Sequence, residues 1–177
     1  MPYNAVDQFA SGASLYDTGA AAAKFPLGLI IRGLDQSLGG GEFMYVQFAA
    51  AANAGDVCSL LPSLASGNLT IQATPWVGTA VAGFQLGVCL ATQTINSFGW
   101  IQVAGLAVVN TNGVVAVGDR AFWQANGTVF TTLTASKQAL GMSCMSVNNA
   151  TIGGYGALGA QKALYMLNNP QAQGSIT

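Results

Sequence analysis

Histidine is missing from the chain altogether. Without imidazole there is no side chain that ordinarily titrates near neutrality, no example of the commonest metal ligand, and no Ser or Cys triad of the usual kind. Charge is almost as scarce. Five Lys and Arg and six Asp and Glu make up 6% of the 177 residues, against roughly 25% in ordinary globular domains. The basic residues Lys24, Arg32, Arg120, Lys137 and Lys162 stand singly, which leaves no electrostatic footprint for a phosphate backbone and excludes nucleic acid as an expected partner. Apolar runs stop short of the ~18 residues that span a bilayer, and the first residues lack the basic and apolar regions of a secretion signal. Neither membrane insertion nor signal-dependent secretion is expected. Cys58, Cys89 and Cys144 are odd in number, far apart and set among small or apolar residues. They read as buried thiols made in a reducing cytoplasm, without the spacing of a disulfide framework or a zinc site.

Acid–base chemistry is left to a carboxylate pair, and Asp56 with Glu42 or Asp119 is the first to test. Asp56 and Asp119 each follow a glycine at the start of a strand-like segment, where a side-chain bond to a turn amide accounts for them. Gly39-Gly40-Gly41 and Gly153-Gly154 lack the lysine and following helix of a nucleotide loop. No catalytic, cofactor-binding or metal-binding residue is assigned, and the chain is read as a protein that is not an enzyme and needs no cofactor.

What the chain does hold is apolar and small: 51% hydrophobic residues and 23 glycines. Its longest β-like run covers residues 98–109, in which Trp100, Gln102, Ala104, Leu106 and Val108 alternate with Ile101, Val103, Gly105, Ala107 and Val109. Both faces are mostly apolar, so this strand is expected to be covered on both sides. Shorter β-like segments surround it, separated by Gly, Asn, Asp and Pro, among them residues 29–34, 42–48, 57–61, 69–73, 84–90, 114–117 and 163–167. Pro62 is expected to stop or edge its strand. One echo recurs: Gly55-Asp56, a hairpin and Gly87-Val88-Cys89 resemble Gly118-Asp119, a hairpin and Gly141-Met142-Ser143-Cys144, but the intervals differ, so it is read as recurrent hairpin chemistry in preference to a duplication.

These patterns predict an all-β fold, an antiparallel sandwich or barrel of short strands. Residues 1–24 read as an extended arm, 25–170 as the β domain and 171–177 as a polar tail. Tyr3, Phe9, Leu15, Tyr16 and Phe25, together with Trp76, form the candidate interface, the arm's spaced apolar rings being expected to bury against a partner. An alternative use of aromatics is a sugar platform made by Trp76 and Trp123.

Leu27-Gly28-Leu29-Ile30, Gly41-Glu42-Phe43-Met44-Tyr45-Val46, Ala54-Gly55-Asp56-Val57, Leu86-Gly87-Val88-Cys89 and Gly99-Trp100-Ile101-Gln102-Val103-Ala104-Gly105 follow one another in an order that resembles the small, glycine-rich, low-charge structural proteins of tailed bacteriophages. In particular the chain resembles their head decoration, or cement, proteins. That resemblance implies a virion protein made in the bacterial host cytoplasm, bound to the major capsid protein on the outer surface of the head and to copies of itself as a homotrimer or homodimer. A carbohydrate-binding or adhesion module on the virion, and another minor head or tail structural protein, are the alternative readings. A surface this poor in charge suits a protein that lives in an assembly.

Overall fold

The computed structural model describes residues 4–5, 14–65, 68–77, 84–125, 127–130, 137–153 and 156–173. No helix occurs among them. The strands are β1 (Asn4–Ala5), β2 (Ile30–Asp35), β3 (Gly39–Phe48), β4 (Val57–Ala65), β5 (Asn68–Pro75), β6 (Gln85–Cys89), β7 (Phe98–Asn110), β8 (Arg120–Ala125), β9 (Thr128–Phe130), β10 (Gln138–Cys144), β11 (Thr151–Ile152), β12 (Gly156–Ala157) and β13 (Lys162–Ala172). The expected all-β fold is present, with every pairing antiparallel except where β3 meets β5 and at the isolated Thr111–Val129 bridge.

Pairing curls the main sheet into two rings. In the first, β3, β5, β4, β6 and β7 pair in succession and β7 returns to β3. Met44, Val46, Phe48, Cys58, Leu60, Ile101 and Val103 fill it. In the second, β7 pairs with β13, β13 with β10, β10 with β8 and β8 with β9, and a bridge from Val129 to Thr111 brings the ring back to the end of β7. Ala107, Val109, Ala121, Val129, Ala139, Tyr165 and Leu167 fill that one. The long apolar run is therefore a strand common to both rings. Ile101 and Val103 serve the first core and Ala107 and Val109, of the same parity, serve the second. Its other face is covered too: Trp100 joins Phe43, Tyr45, Ile31, Leu38 and Leu15 in a third cluster outside the first ring.

Gly105 is where β7 passes from β3 to β13. It pairs with Gly41 on one side and Leu167 on the other, at φ +93°, and a Cβ there would lie 2.3 Å from the Gly40 carbonyl oxygen and 2.9 Å from the Gly41 Cα. Only glycine fits, because the obstacle is backbone. The close packing on this face is thus internal to the chain.

The echo in the sequence is more than the recurrent hairpin chemistry expected of it, because its hydrogen bonds match one for one. Gly55 N–H donates to Cys89 O and Gly118 N–H to Cys144 O, both at 2.8 Å; Cys89 N–H donates to Asp56 O and Cys144 N–H to Asp119 O, both at 2.9 Å. Asp56 Oδ2 accepts from Asn53 N–H at 2.8 Å and Asp119 Oδ2 from Ala116 N–H at 2.7 Å. The Cys89 thiol donates to Ala91 O and the Cys144 thiol to Ser146 O, both at 3.0 Å. Registers agree as well, since Tyr45 opposite Trp100 corresponds to Val108 opposite Leu164. The two rings are two copies of one unit, and β7 closes the first and opens the second.

Several boundaries differ from expectation. Residues 114–117 form no strand; they lie in a turn closed by Asp119, with Val114 and Val117 exposed. β13 runs through Asn168-Asn169-Pro170 to Ala172, because a bulge of β13 opposite Gly141 of β10, with Asn169 left-handed (φ 44°), absorbs the proline. Gln171 and Ala172 therefore belong to a strand and not to the tail. Pro62 edges its strand as expected: β6 pairs with β4 only along residues 57–60, which leaves Pro62 beyond that partner.

Replacing Gly105 by Ala should cost about 3 kcal/mol or more, from the left-handed φ and the collision with β3. Gly40→Ala, where a Cβ meets nothing within 4 Å, should change stability by less than about 1 kcal/mol. Urea unfolding of both variants beside the parent chain measures the contrast.

Candidate interface

From residue 14 onward the arm lies on its own domain. Leu15 is buried in the third cluster, with Tyr16 and Phe25 packed against it. The Phe25 ring meets Tyr45 edge-on at 5.3 Å and Trp100 at 5.4 Å, while Tyr45 and Trp100 are 4.9 Å apart. Polar contacts fix the path. Gln93 donates from Nε2 to Asp17 O at 2.7 Å and accepts from Gly19 N–H at 3.1 Å, Ala20 bridges to Phe98, and Lys24 N–H donates to Tyr45 Oη at 3.1 Å. An exposed Lys24–Asp17 ion pair at 2.6 Å completes the segment.

This placement revises the reading of individual residues. Leu15 finds its apolar cover within the chain, where burial against a partner was expected of it, and Phe25 is half-buried there against Tyr45 and Trp100. Trp76 is 3% exposed and sits in the second ring's core, its carbonyl accepting from Trp123 Nε1 at 2.8 Å. It is core and not interface. Tyr16 is half-buried and keeps part of its ring accessible. Tyr3 and Phe9 lie outside the described residues. A sugar platform is not formed either, because Trp76 is covered and Trp123 carries Lys137 Nζ 4.2 Å from its ring centre.

The acids are engaged structurally. Asp56 is buried, with Oδ2 on the Asn53 amide and Oδ1 on Asn110 Nδ2 at 2.8 Å. Asp119 closes the corresponding turn, and Glu42 lies 3.6 Å from Arg32 across β2 and β3. Among the described residues no three His, Cys, Asp or Glu side chains come together as a metal site. Asp56, Asn53, Asn110, Thr111, Gln161 and Lys162 border an open groove of about 780 Å³. Its one carboxylate is consumed by the turn. All three cysteines are free and buried. Burial pushes the Cys58 thiol well up, the Cys89 thiol up to about 12, and the Cys144 thiol up as well, which keeps each protonated and unreactive.

Large apolar side chains are exposed at several places, Leu34, Leu64 and Ile95 among them, and four come from two neighbouring loops. Val114 is 82% exposed and Val117 65%, and Met145 and Val147 are exposed beside them. Gly118 N–H to Cys144 O (2.8 Å) and Val115 N–H to Asn148 Oδ1 (2.6 Å) tie the two loops that carry these side chains. Sequence reading missed this surface by taking residues 114–117 as strand. The signal was available in the bracketing Asn112-Gly113 and Gly118-Asp119, which leave room for a turn and little else.

No protein-family model matches the sequence, and no curated protein matches it. Among solved structures, the N base of the head fiber protein gp8.5 of bacteriophage phi29 is similar at a TM-score of 0.48 and 11% identity, over 73% of this chain and 95% of that one. A likeness of that size supports no transfer of function.

Native protein at pH 8 should react with a thiol reagent at fewer than one site per chain over minutes, and at all three cysteines once unfolded in guanidinium. The Tyr165 hydroxyl is buried with no oxygen or nitrogen partner, so Tyr165→Phe should leave stability unchanged or raise it by up to about 1 kcal/mol, read from thermal melts.

Proposed function

We propose that this chain is a structural protein of a tailed-phage virion, bound to the outside of the head and stabilising it. The observation that carries this reading is the scarcity of charge, 11 Asp, Glu, Lys and Arg in 177 residues, of which Asp35 and Asp56 are buried, on an all-β scaffold. Such a molecule gains little from staying dispersed and much from being fixed in a lattice. The order of glycine-rich strand motifs from Leu27 to Gly105 supports it through the resemblance to head decoration proteins. The engaged acids and protonated thiols of the described residues fit a role in which nothing is catalysed. The partner on this reading is the major capsid protein, and many modest contacts repeated over a shell supply the hold that one contact would not.

The sugar-binding alternative loses its platform with Trp76 buried and Trp123 under Lys137. A different head or tail position is distinguished by copy number. Mass spectrometry of purified virions should find the chain in tens to hundreds of copies per particle, as repeated contacts across a lattice require. Its absence from particles overturns the proposal, and a handful of copies moves it to a minor head or tail role. Rebinding of the purified chain to heads that lack it should change by less than about twofold between roughly 0.05 and 0.5 M salt, since few charges are present to screen. A steep salt dependence speaks against this mode of attachment.

A further inference from the structure

The duplicated unit supplies an internal control for what its turn loops require. Positions 51, 54, 90 and 92 of the first unit correspond to 114, 117, 145 and 147 of the second, on the matching hydrogen bonds of Asp56 with Cys89 and of Asp119 with Cys144. The first unit carries Ala51, Ala54, Leu90 and Thr92 there, and Leu90 and Tyr16 are both half-buried against the third cluster. The second carries Val114, Val117, Met145 and Val147, all exposed. One backbone geometry thus accepts small or polar residues at three of the four places, so the turn itself does not call for exposed valines. Positions that face inward agree in both copies, Ala52 at 2% and Val115 at 1% exposure. The contrast is confined to the outside.

We infer that this end of the second unit is an interface between two copies of the chain, related by a two-fold axis. Four exposed side chains of this size offer roughly 400 Å² of apolar surface per copy, a patch as large as monomers ordinarily leave open and enough for the centre of a modest dimer contact. In residues 112–119 and 144–149 the only Asp, Glu, Lys or Arg is Asp119, whose Oδ2 already accepts from Ala116. The patch therefore meets its own copy with no like charges opposed, and an isologous contact needs only self-complementarity. An extended segment is a poorer occupant. In the first unit the Gln93 amide grips the backbone of residues 17 and 19, whereas Asn148 turns its amide inward to Val115 N–H and Thr111 Oγ1. The loops are also pinned to each other, so little order has to be gained on docking.

The inference does not depend on where in a virion the chain sits. Light scattering of the full chain during gel filtration, at concentrations from about 1 to 100 µM, should give twice the chain mass at the upper end. The double variant Val117→Lys and Met145→Lys should remain a monomer across that range, with its dissociation constant raised at least about 100-fold and its circular dichroism and melting temperature those of the parent. A parent chain that stays monomeric overturns the inference, and so does a double variant that still dimerises. If the parent is monomeric and the variant loses binding to heads, the patch belongs to the capsid contact, and the virion reading stands without the dimer.

Discussion

Two strands divide β7 between them: β3 pairs with residues 98–105 and β13 with residues 104–110, so both reach Ala104 and Gly105. The exchange happens at Gly105, whose Cα sits against the backbone of Gly40 and Gly41 in a conformation that other residues resist. Were a side chain placed there, β3 would be pushed from β7 at its Gly41 end, where the strand crosses from one ring to the other. Both cores depend on that approach, because Ile101 and Val103 on one side of it and Ala107 and Val109 on the other are set to face two interiors by a single continuous strand.

Symmetry between the two units reaches the level of single hydrogen bonds, and the departures from it mark where each unit meets something else. The first unit's outer face is covered by residues 14–25, with Phe25 on Tyr45 and Trp100. At the corresponding pair of the second unit, Val108 and Leu164 take the places of Tyr45 and Trp100, and Leu164 and Ile152 pack at the edge of the same cluster. Large aromatic rings occur where the chain folds back an extended segment. Smaller aliphatic side chains, Val108 and Leu164, stand at the corresponding places of the second unit.

Much of this was legible from residue order. The strand at 98–109 announced itself by being apolar on both faces, the turn aspartates by following glycine, and Pro62 by its strand edge, while the echo of Gly-Asp and the later Cys was visible but its unequal intervals hid the duplication. The ring closures were not, because alternation reports which face of a strand is buried and says nothing of which distant strand lies beside it. The cover over Tyr45 was missed for a related reason. An extended segment that docks through Leu15, Gln93 and Phe25 has no period, so its irregular aromatics looked directed at a partner. Residues 163–170 misled because a bulge opposite Gly141 lets a strand pass through Asn169 and Pro170.

A strand held in common has a mechanical meaning. Force applied along the strands, entering through β3 and leaving through β13, crosses β7 as shear, with the hydrogen bonds of each antiparallel pair stretched together and not opened one after another; the single β6–β13 pair, Gln85 with Gln171, is a much narrower route around it. Neither ring can be drawn off the other without breaking the strand both require. For a chain with no disulfide among its described residues and three thiols held protonated by burial, tensile strength comes from topology and not from a covalent link.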